Sequence, residues 1–491
     1  MRHARKALLL GLAAALVGGA ATAQQVDFSR YVALGDSLTA GVVSNGSVES
    51  NQKNSYPALI ARQAGVATFQ QPLVSAPGLP PLLQLMALNI TPLGVSPDIE
   101  MAPGMGAPLN ATLPTPYNNL GVDGFSSTDV LTRTGNIQNF AADLGAYAAG
   151  KTGKAPAFAD LVLRFPVFPG TSTPATALAQ AIALQPTFVT AWIGSDDVLG
   201  TVLTGVVLDG VTMTPAAVFQ SNYTTILGAL RQASPNAPIV VGNVPDVESI
   251  PFVTTIKPYI VNPATGTHIP LLGENGPLTE QDYVTLLASS LLAKGIGIPA
   301  AAGGTGQPLP EGSVDASGLH SGVVLRAAEV SAIKARTAEL NGIISAVAAQ
   351  VGAKVVDFNA ILADLKANGR IVGGIKLTSD FLTGGIFSYD GVHPQSLGYA
   401  IIANEWIKVI NAGFGTKLPE VSLRPFLDGG GVAATTSVLA AKVMFSPAAG
   451  IAMVKGYAPY ALTDKLEVNT HVVRRHIAER PERGADGVLN Q

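Results

Sequence analysis

The sequence predicts an α/β sandwich built around a parallel sheet. Short apolar stretches alternate along the chain with longer segments of helical periodicity. The stretches have no polar face, as expected for strands that helices cover on both sides. In such sheets the chemistry gathers at the carboxyl ends of the strands. The residues that directly follow each predicted strand are therefore the candidates for function.

Each element is bounded by a start or a stop signal. The first apolar stretch ends at Gly35, and Ser55-Tyr56-Pro57 begins a helix that Gly65 ends. The predicted strands cover residues 28–34, 117–122, 187–193, 238–244 and 354–358. The predicted helices cover residues 58–64, 219–230, 278–293, 325–351 and 394–410.

The two ends of the chain are predicted to lie outside this domain. A basic start, an apolar run and the small-residue pattern Ala21-Thr22-Ala23 predict a signal peptide over residues 1–23. An uncleaved membrane anchor is the alternative, but the apolar run is short for one. We expect a secreted or periplasmic protein. Its main domain is predicted over residues 24–424, with insertions near 66–116 and 250–324 and a dispensable, poorly ordered extension over 425–491.

Composition excludes several classes of function. The 491 residues include no Cys, which excludes a disulfide scaffold, a Cys nucleophile and Cys-ligated metals. The formal net charge is −3 and 13% of residues are charged, so no basic surface for nucleic acid is predicted. After the signal peptide, the best candidate span, residues 432–462, is interrupted by Lys442, Pro447 and Lys455, and we do not expect it to cross a membrane.

The first chemical candidate is Ser37, in the motif Gly35-Asp36-Ser37-Leu38. It follows the first predicted strand, which places its hydroxyl group at the carboxyl end of that strand. Backbone N–H groups at such a turn suit a developing oxyanion. The alternative is a tight turn whose Ser caps a helix, which is the commoner role of a lone loop Ser.

A nucleophilic Ser needs a base, and His393 has the best setting among six His. It lies in Asp390-Gly391-Val392-His393-Pro394, just before a predicted helix. The turn can place the Asp390 carboxylate against Nδ1, which orients the ring and leaves Nε2 free to accept the Ser proton. A helix-entry turn is the alternative. The other five His are predicted to lie in the signal peptide or on the surface: His3, His268, His320, His471 and His476.

Four motifs in order resemble those of the GDSL (SGNH) family of serine hydrolases. The Ser37 motif and Asp390-x-x-His393 match the first and last blocks of the family. Asn119-Leu120-Gly121-Val122-Asp123-Gly124 resembles the second block, with Gly124 at its glycine. Gly194-Ser195-Asp196-Asp197 resembles the third, Gly-x-Asn-Asp. The resemblance covers about residues 28–412, and four ordered blocks are far more specific than one.

The resemblance implies a fold and a role for each matching residue. The fold is a flavodoxin-like three-layer sandwich with a five-stranded parallel sheet. Ser37 would be the nucleophile, His393 the general base and then acid, and Asp390 the group that orients it. The N–H groups of Ser37 and Gly124 would form the oxyanion hole. The family needs no metal or organic cofactor, and its substrates are carboxylic esters.

Asp196 departs from the family pattern, which has Asn at this position. An ionised carboxylate cannot donate a hydrogen bond and would repel the oxyanion. Three outcomes stay open: Asp196 is held protonated by burial and by Asp197, the remaining donors suffice in a slow enzyme, or the chain only binds. A calcium ligand pair formed by Asp196 and Asp197 is a further alternative.

These observations predict a secreted or periplasmic serine ester hydrolase of the esterase/lipase type, acting on a small-molecule or lipid-like ester. Removal of acetyl groups from polysaccharide is one alternative, and a non-catalytic binding protein on a hydrolase scaffold is another. The apolar residues of the insertions, at 79–88 and 278–292, either cover an acyl site or thicken the core.

Overall fold

The computed structural model describes residues 26–91, 94–262, 264–316 and 318–429, together with two short strands, Met444–Phe445 and Leu466–Val468. The predicted signal peptide and nearly all of the predicted C-terminal extension lie outside these residues.

A five-stranded parallel sheet forms the centre of the molecule. Its strands are β1 (Tyr31–Gly35), β2 (Asn119–Gly121), β3 (Phe188–Trp192), β4 (Ile239–Gly242) and β5 (Lys354–Val356). They lie in the order β2-β1-β3-β4-β5, which is the flavodoxin order, and all neighbouring pairs are parallel. The predicted fold class is confirmed, and all five predicted strands are present with shorter bounds.

Helices cover both faces of the sheet. In chain order they are α1 (Ser37–Ala40), α2 (Glu49–Gln52), α3 (Tyr56–Gln63), α4 (Ser127–Thr132), α5 (Phe140–Ala148), α6 (Ala155–Leu163), α7 (Ala177–Ala183), α8 (Asp196–Thr204), α9 (Ala216–Ala233), α10 (Pro251–Thr254), α11 (Ser289–Leu292), α12 (Ala327–Val351), α13 (Phe358–Asn368), α14 (Ser396–Phe414) and α15 (Arg424–Gly429).

Alternate side chains of each strand point to opposite faces of the sheet and so build two cores. Val32 and Leu34 of β1 join the larger core, with α6, α7, α8, α9 and α12. Tyr31 and Ala33 join the smaller core, with α3, α13 and α14. In the smaller core the rings of Tyr56 and Trp406 stack with their centroids 5.0 Å apart. Burial on both faces explains why the strands are mainly apolar; the polar exceptions are Asn119, Thr190 and the exposed Lys354.

The connections carry short antiparallel strands. Leu83–Thr91 pairs with Gly94–Met101, Tyr259–Val261 with His268–Pro270, Leu272–Gly273 with Gly276–Pro277, Tyr283–Val284 with Val324–Leu325, Ser313–Asp315 with Gly318–Ser321, and Arg370–Val372 with Ile375–Leu377. Met444–Phe445 and Leu466–Val468 add parallel to Gly94–Met101 and to Gly318–Ser321. Two single turns of 3-10 helix cover Leu286–Ala288 and Ala300–Ala302.

The helix predicted over residues 278–293 is wrong for most of its length. Its first part turns at Thr279, whose N–H donates to the Asp282 carboxylate, and then forms the strand Tyr283–Val284. Only Ser289–Leu292 is α-helical. The apolar residues that suggested a helix pack instead into a separate small core with Leu309 and Val324. Burial in this small core therefore decides the conformation of the segment, against its helical periodicity.

A second difference lies after β5, where the structure has α13 and the sequence pattern predicts a strand up to residue 358. Asp357 stops the strand because its carboxylate caps the new helix, accepting the N–H of Ala360 at 3.1 Å.

No helix in the described ranges has the length and apolar character needed to cross a membrane.

Candidate active site

Ser37 lies where the chain leaves β1, which pairs with β2 on one side and β3 on the other. It is the first residue of α1, is 3% exposed, and follows β1 by one intervening residue, Asp36. The Asp36 carboxylate caps this turn by accepting the N–H of Leu38 at 2.9 Å. The turn therefore brings Ser37 to the carboxyl edge of the sheet, as its motif predicts.

Gly124 follows the neighbouring strand β2 at the same edge. Its φ is +84°, a conformation that favours glycine. Gly121 allows β2 to lie close to α1, since a Cβ there would come within 2.3 Å of the N atom of Ala40. Among the described residues, neither the N–H of Ser37 nor that of Gly124 has a hydrogen-bond acceptor. Ser37 lines the cavity described below, whereas Gly124 is not among the residues that line it.

His393 and Asp390 lie together in the loop before α14. The Nδ1 atom of His393 is 2.7 Å from Oδ2 of Asp390, and both side chains are almost fully buried. The other oxygen, Oδ1, accepts the N–H groups of Val392 and His393, each at 2.8 Å. These contacts hold the imidazole ring in one orientation.

The loop that follows α1 holds the same carboxylate from the opposite side. The N–H of Asn45 donates to Oδ2 of Asp390 at 2.7 Å. Ser388 donates its hydroxyl to Oδ1 of Asp390 at 3.0 Å and accepts the N–H of Ser44 at 2.8 Å. The loop that follows Ser37 is thus tied directly to the loop that carries His393.

These contacts keep Asp390 ionised. Burial alone would raise its pKa, but the adjacent His393 and the N–H donors outweigh burial and lower the pKa to about 2.

Ser37 and His393 line the same cavity, which has a volume of about 470 Å³. Its walls are mainly apolar and come from the loop after β4, from α13 and from α14; they include Val247, Ile250, Phe358, Ile361, Leu362, Leu365, Ile401 and Ile402. At its far rim Glu405 accepts hydrogen bonds from Arg370 and Lys408. The cavity is in the size range of small-molecule sites.

In the part of the chain that the structure describes, neither apolar insertion lines this cavity. Leu79 and Leu83 are buried in the larger core, and Leu278 and Leu291 lie in the separate small core. The buried residues of these two stretches thus pack into hydrophobic cores, one of which is separate from the core of the sandwich.

Asp196 begins α8, after β3 at the same edge of the sheet. Its Oδ2 atom is inaccessible to solvent and has no hydrogen-bond partner in the described structure. Burial raises its pKa well above the ordinary value, and the nearby carboxyl groups of Asp36 and Asp123 add to the effect. Burial similarly raises the pKa of Asp36 to about 7.

Asp197 has a separate, structural contact. Its two oxygens accept the N–H and the hydroxyl of Ser127 at 2.9 and 2.8 Å, which ties α8 to α4. The described residues contain no group of three carboxylate, imidazole or thiol side chains placed to bind a metal ion.

Sequence reasoning missed a buried ion pair beside Gly124. Nζ of Lys154 lies 2.8 Å from Oδ2 of Asp123, and neither side chain is exposed. Asp123 lies within the second motif, but Lys154 carries no signal, since it is one of two Lys in the long segment between the second and third motifs.

Comparison with known proteins assigns the chain to a family. A model of the GDSL-like lipase/acylhydrolase family matches residues 31–406, well over half of the chain. Among solved structures, the phospholipase A1 from Streptomyces albidoflavus is 15% identical, with 78% of this chain and 98% of that chain covered and a TM-score of 0.28. A family 3 carbohydrate esterase from Clostridium thermocellum is 14% identical, with coverage of 78% and 96% and a TM-score of 0.29. A search of curated proteins found no match.

At these TM-scores the solved structures add no argument of their own. The extent of the family match decides the question: the chain belongs to the GDSL-like lipase/acylhydrolase family of ester hydrolases.

Proposed function

We propose that the chain hydrolyses carboxylic esters through an acyl-enzyme formed on Ser37, with His393 as general base and Asp390 as its orienting group. The observation that carries the proposal is the shared cavity, which Ser37 and His393 line together. Asp390 contacts Nδ1 of His393 and so orients its ring.

The geometry supports a two-step reaction. Nδ1–H of His393 donates to Asp390, so Nε2 accepts the hydroxyl proton as Ser37 Oγ attacks the ester carbonyl. The tetrahedral intermediate collapses, the C–O bond to the alcohol breaks, and His393 gives its proton to the leaving oxygen. A water molecule then repeats the sequence on the acyl-enzyme, which releases the carboxylic acid and free Ser37.

Three donors serve the oxyanion in this proposal. Two are the N–H groups of Ser37 and Gly124. The third is Asp196, which we propose to be protonated and therefore able to donate as an Asn side chain would. Its burial and its carboxyl neighbours favour the neutral form.

The apolar cavity favours a substrate with an acyl chain longer than acetyl, such as a medium-chain or lipid-like ester. Such a chain would lie between α13 and α14, where the wall is formed by Leu362, Leu365 and Ile401. We further propose that the enzyme acts outside the cytoplasm, because residues 1–23 have the pattern of a signal peptide.

Labelling with a fluorophosphonate probe tests the catalytic proposal, because the probe reacts with an activated Ser and needs no knowledge of the natural substrate. We expect wild type to be labelled and to hydrolyse p-nitrophenyl butyrate. Ser37→Ala should abolish labelling and lower kcat by about 10⁶-fold. Ser50→Ala, at an exposed Ser of the same N-terminal region, is the matched control and should behave as wild type. A well-folded wild type that neither reacts with the probe nor hydrolyses esters would favour the non-catalytic scaffold.

A further inference from the structure

The buried ion pair between Lys154 and Asp123 carries a large desolvation free energy. Both side chains are fully buried, with Nζ of Lys154 2.8 Å from Oδ2 of Asp123. Removing both charges from water is costly, and apolar side chains of similar shape are often as stable in such places. Stability is therefore a weak reason for its presence.

The pair lies next to a proposed oxyanion donor. The C=O of Asp123 and the N–H of Gly124 belong to one peptide plane, so whatever fixes Asp123 also fixes the direction of that N–H. Gly124 has no side chain and adopts a φ of +84°, so its orientation must come from its neighbours. The Asp123 side chain, held by Lys154, is the adjacent anchor.

Lys154 is itself rigidly placed. It is the residue that precedes α6, a helix whose residues are nearly all buried and which packs against β2. The start of α6 thus places the ammonium group of Lys154 near the edge of the sheet where Ser37, Gly124 and Asp196 lie.

The pair also sets the charge of the site. Asp36 and Asp123 both act electrostatically on Asp196, and Lys154 acts on it with the opposite sign. With the ammonium group present, Asp123 and Lys154 are neutral as a unit. Without it, an uncompensated buried carboxylate would act on Asp196, the third proposed donor, and would oppose negative charge developing at the site.

We propose that Lys154 is a positioning residue for ester hydrolysis: its ammonium group holds Asp123, which keeps the Gly124 N–H directed at the oxyanion, and it cancels the negative charge of Asp123 at that point. The inference rests on the proposed function and extends it to a residue outside the four motifs.

The alternative is a structural ion pair that only fastens α6 to the sheet. Three variants separate the two roles: Lys154→Met, Asp123→Asn, and the double variant, in which a neutral pair of similar shape replaces the charged one. Lys151→Met, at an exposed Lys of the same segment, is the matched control. The readouts are Tm, fluorophosphonate labelling, and kcat and KM for p-nitrophenyl butyrate.

We expect Lys154→Met to lower Tm, because it leaves a buried carboxylate unpaired. The double variant should recover Tm yet keep a kcat lower by about 10²-fold at unchanged KM, the size of effect produced by a small misplacement of catalytic groups. Lys151→Met should change neither quantity. Should the double variant not fold, Asp123→Asn alone carries the same test, since it removes the carboxylate that Lys154 holds and keeps a side chain of the same shape.

A double variant with wild-type Tm and wild-type kcat would overturn this inference and leave the proposed function standing. The inference would also be overturned if the variants labelled more slowly only because less of the protein was folded, with a wild-type kcat per folded molecule. A wild type that neither labels nor hydrolyses esters would instead overturn the proposed function, and this inference with it.

Discussion

At the scale of single residues, the protonation of Asp196 controls the predicted pH dependence of the reaction. Four charged groups act on this carboxyl group: Asp36, Asp123, Asp197 and Lys154. Burial and the three carboxyl neighbours raise its pKa, and only Lys154 opposes them. The neutral, donating form is thus present below the raised pKa and is lost as the pH rises through it.

Replacement of Asp196 by Asn should therefore help most at alkaline pH. The amide does not titrate, so Asp196→Asn keeps its donor at every pH, whereas wild type loses the donor and gains a repulsive charge as Asp196 ionises. We expect the ratio of kcat for Asp196→Asn to kcat for wild type to rise with pH, by up to about 10²–10³-fold, the effect of one oxyanion donor. The measurement is kcat for p-nitrophenyl butyrate from acidic to alkaline pH, with the rate of Ser37→Ala subtracted.

Asp196→Ala is the control for this comparison, because it lacks the donor at all pH values and should be slow throughout. A ratio that stays constant with pH would show that ionisation of Asp196 does not limit the reaction.

How far single residues could be predicted depends on whether their signal is local. Ser37 follows a strand directly, and Asp390 and His393 share one turn, so adjacency in sequence was enough to propose them. The hydrogen bonds from Asn45 to Asp390 and from Ser44 to Ser388 were not predictable, because they join loops that are far apart in the chain. The role of Lys154 was also not predictable, since it depends on a contact with Asp123, which is distant in the chain.

At the scale of elements, the same distinction holds. The strands were predictable because burial on both faces of the sheet makes them short, mainly apolar runs. Helix α13 was missed because its start depends on one capping carboxylate, Asp357, placed directly after a strand. This helix matters for function, since with α14 it forms much of the wall of the cavity next to Ser37.

The apolar wall formed by α13 and α14 should give the enzyme a preference for substrates with longer acyl chains. Each methylene of an acyl chain buried there contributes about 0.8 kcal/mol, or roughly a fourfold rise in kcat/KM. We expect kcat/KM for a series of p-nitrophenyl esters to rise from acetate until the cavity is filled. Leu362→Trp, on the cavity side of α13, should move the optimum to shorter chains.

Ala363→Trp is the matched control, since it adds the same side chain on the exposed face of the same helix. It should leave the optimum unchanged. A sharp preference for acetate in wild type would contradict the acyl-chain proposal and favour removal of acetyl groups from polysaccharide.

At the scale of the whole molecule, the order of the strands assembles the site. Because β1 lies between β2 and β3, their carboxyl ends bring Ser37, Gly124 and Asp196 to one edge of the sheet. Helix α14 follows His393 and packs in the smaller core on the second face of the sheet. The long insertions leave the strand order intact: Leu79 and Leu83 pack into the larger core, and Leu278 and Leu291 lie in the separate small core.

The packed part of the chain extends beyond the predicted domain end at residue 424. Asn404 of α14 exchanges two hydrogen bonds with the backbone of Val421, at 2.7 and 3.0 Å. Leu423, Phe426 and Leu427 then pack against buried residues of α14 and its surroundings. The segment up to α15 thus belongs to the sandwich.

Two truncations should therefore behave differently. A chain that ends at Gly429 keeps these contacts, and we expect it to retain its Tm and its hydrolysis of p-nitrophenyl butyrate. A chain that ends at Glu420 loses four apolar side chains that pack on α14 and its surroundings, those of Val421, Leu423, Phe426 and Leu427. Burial of one such side chain contributes about 1.5–3 kcal/mol when complete. We expect it to unfold at a clearly lower temperature, measured by circular dichroism. If the chain ending at Gly429 were also destabilised, residues 430–491 would have to contribute to the stability of the sandwich, and the proposal that this extension is dispensable would fail.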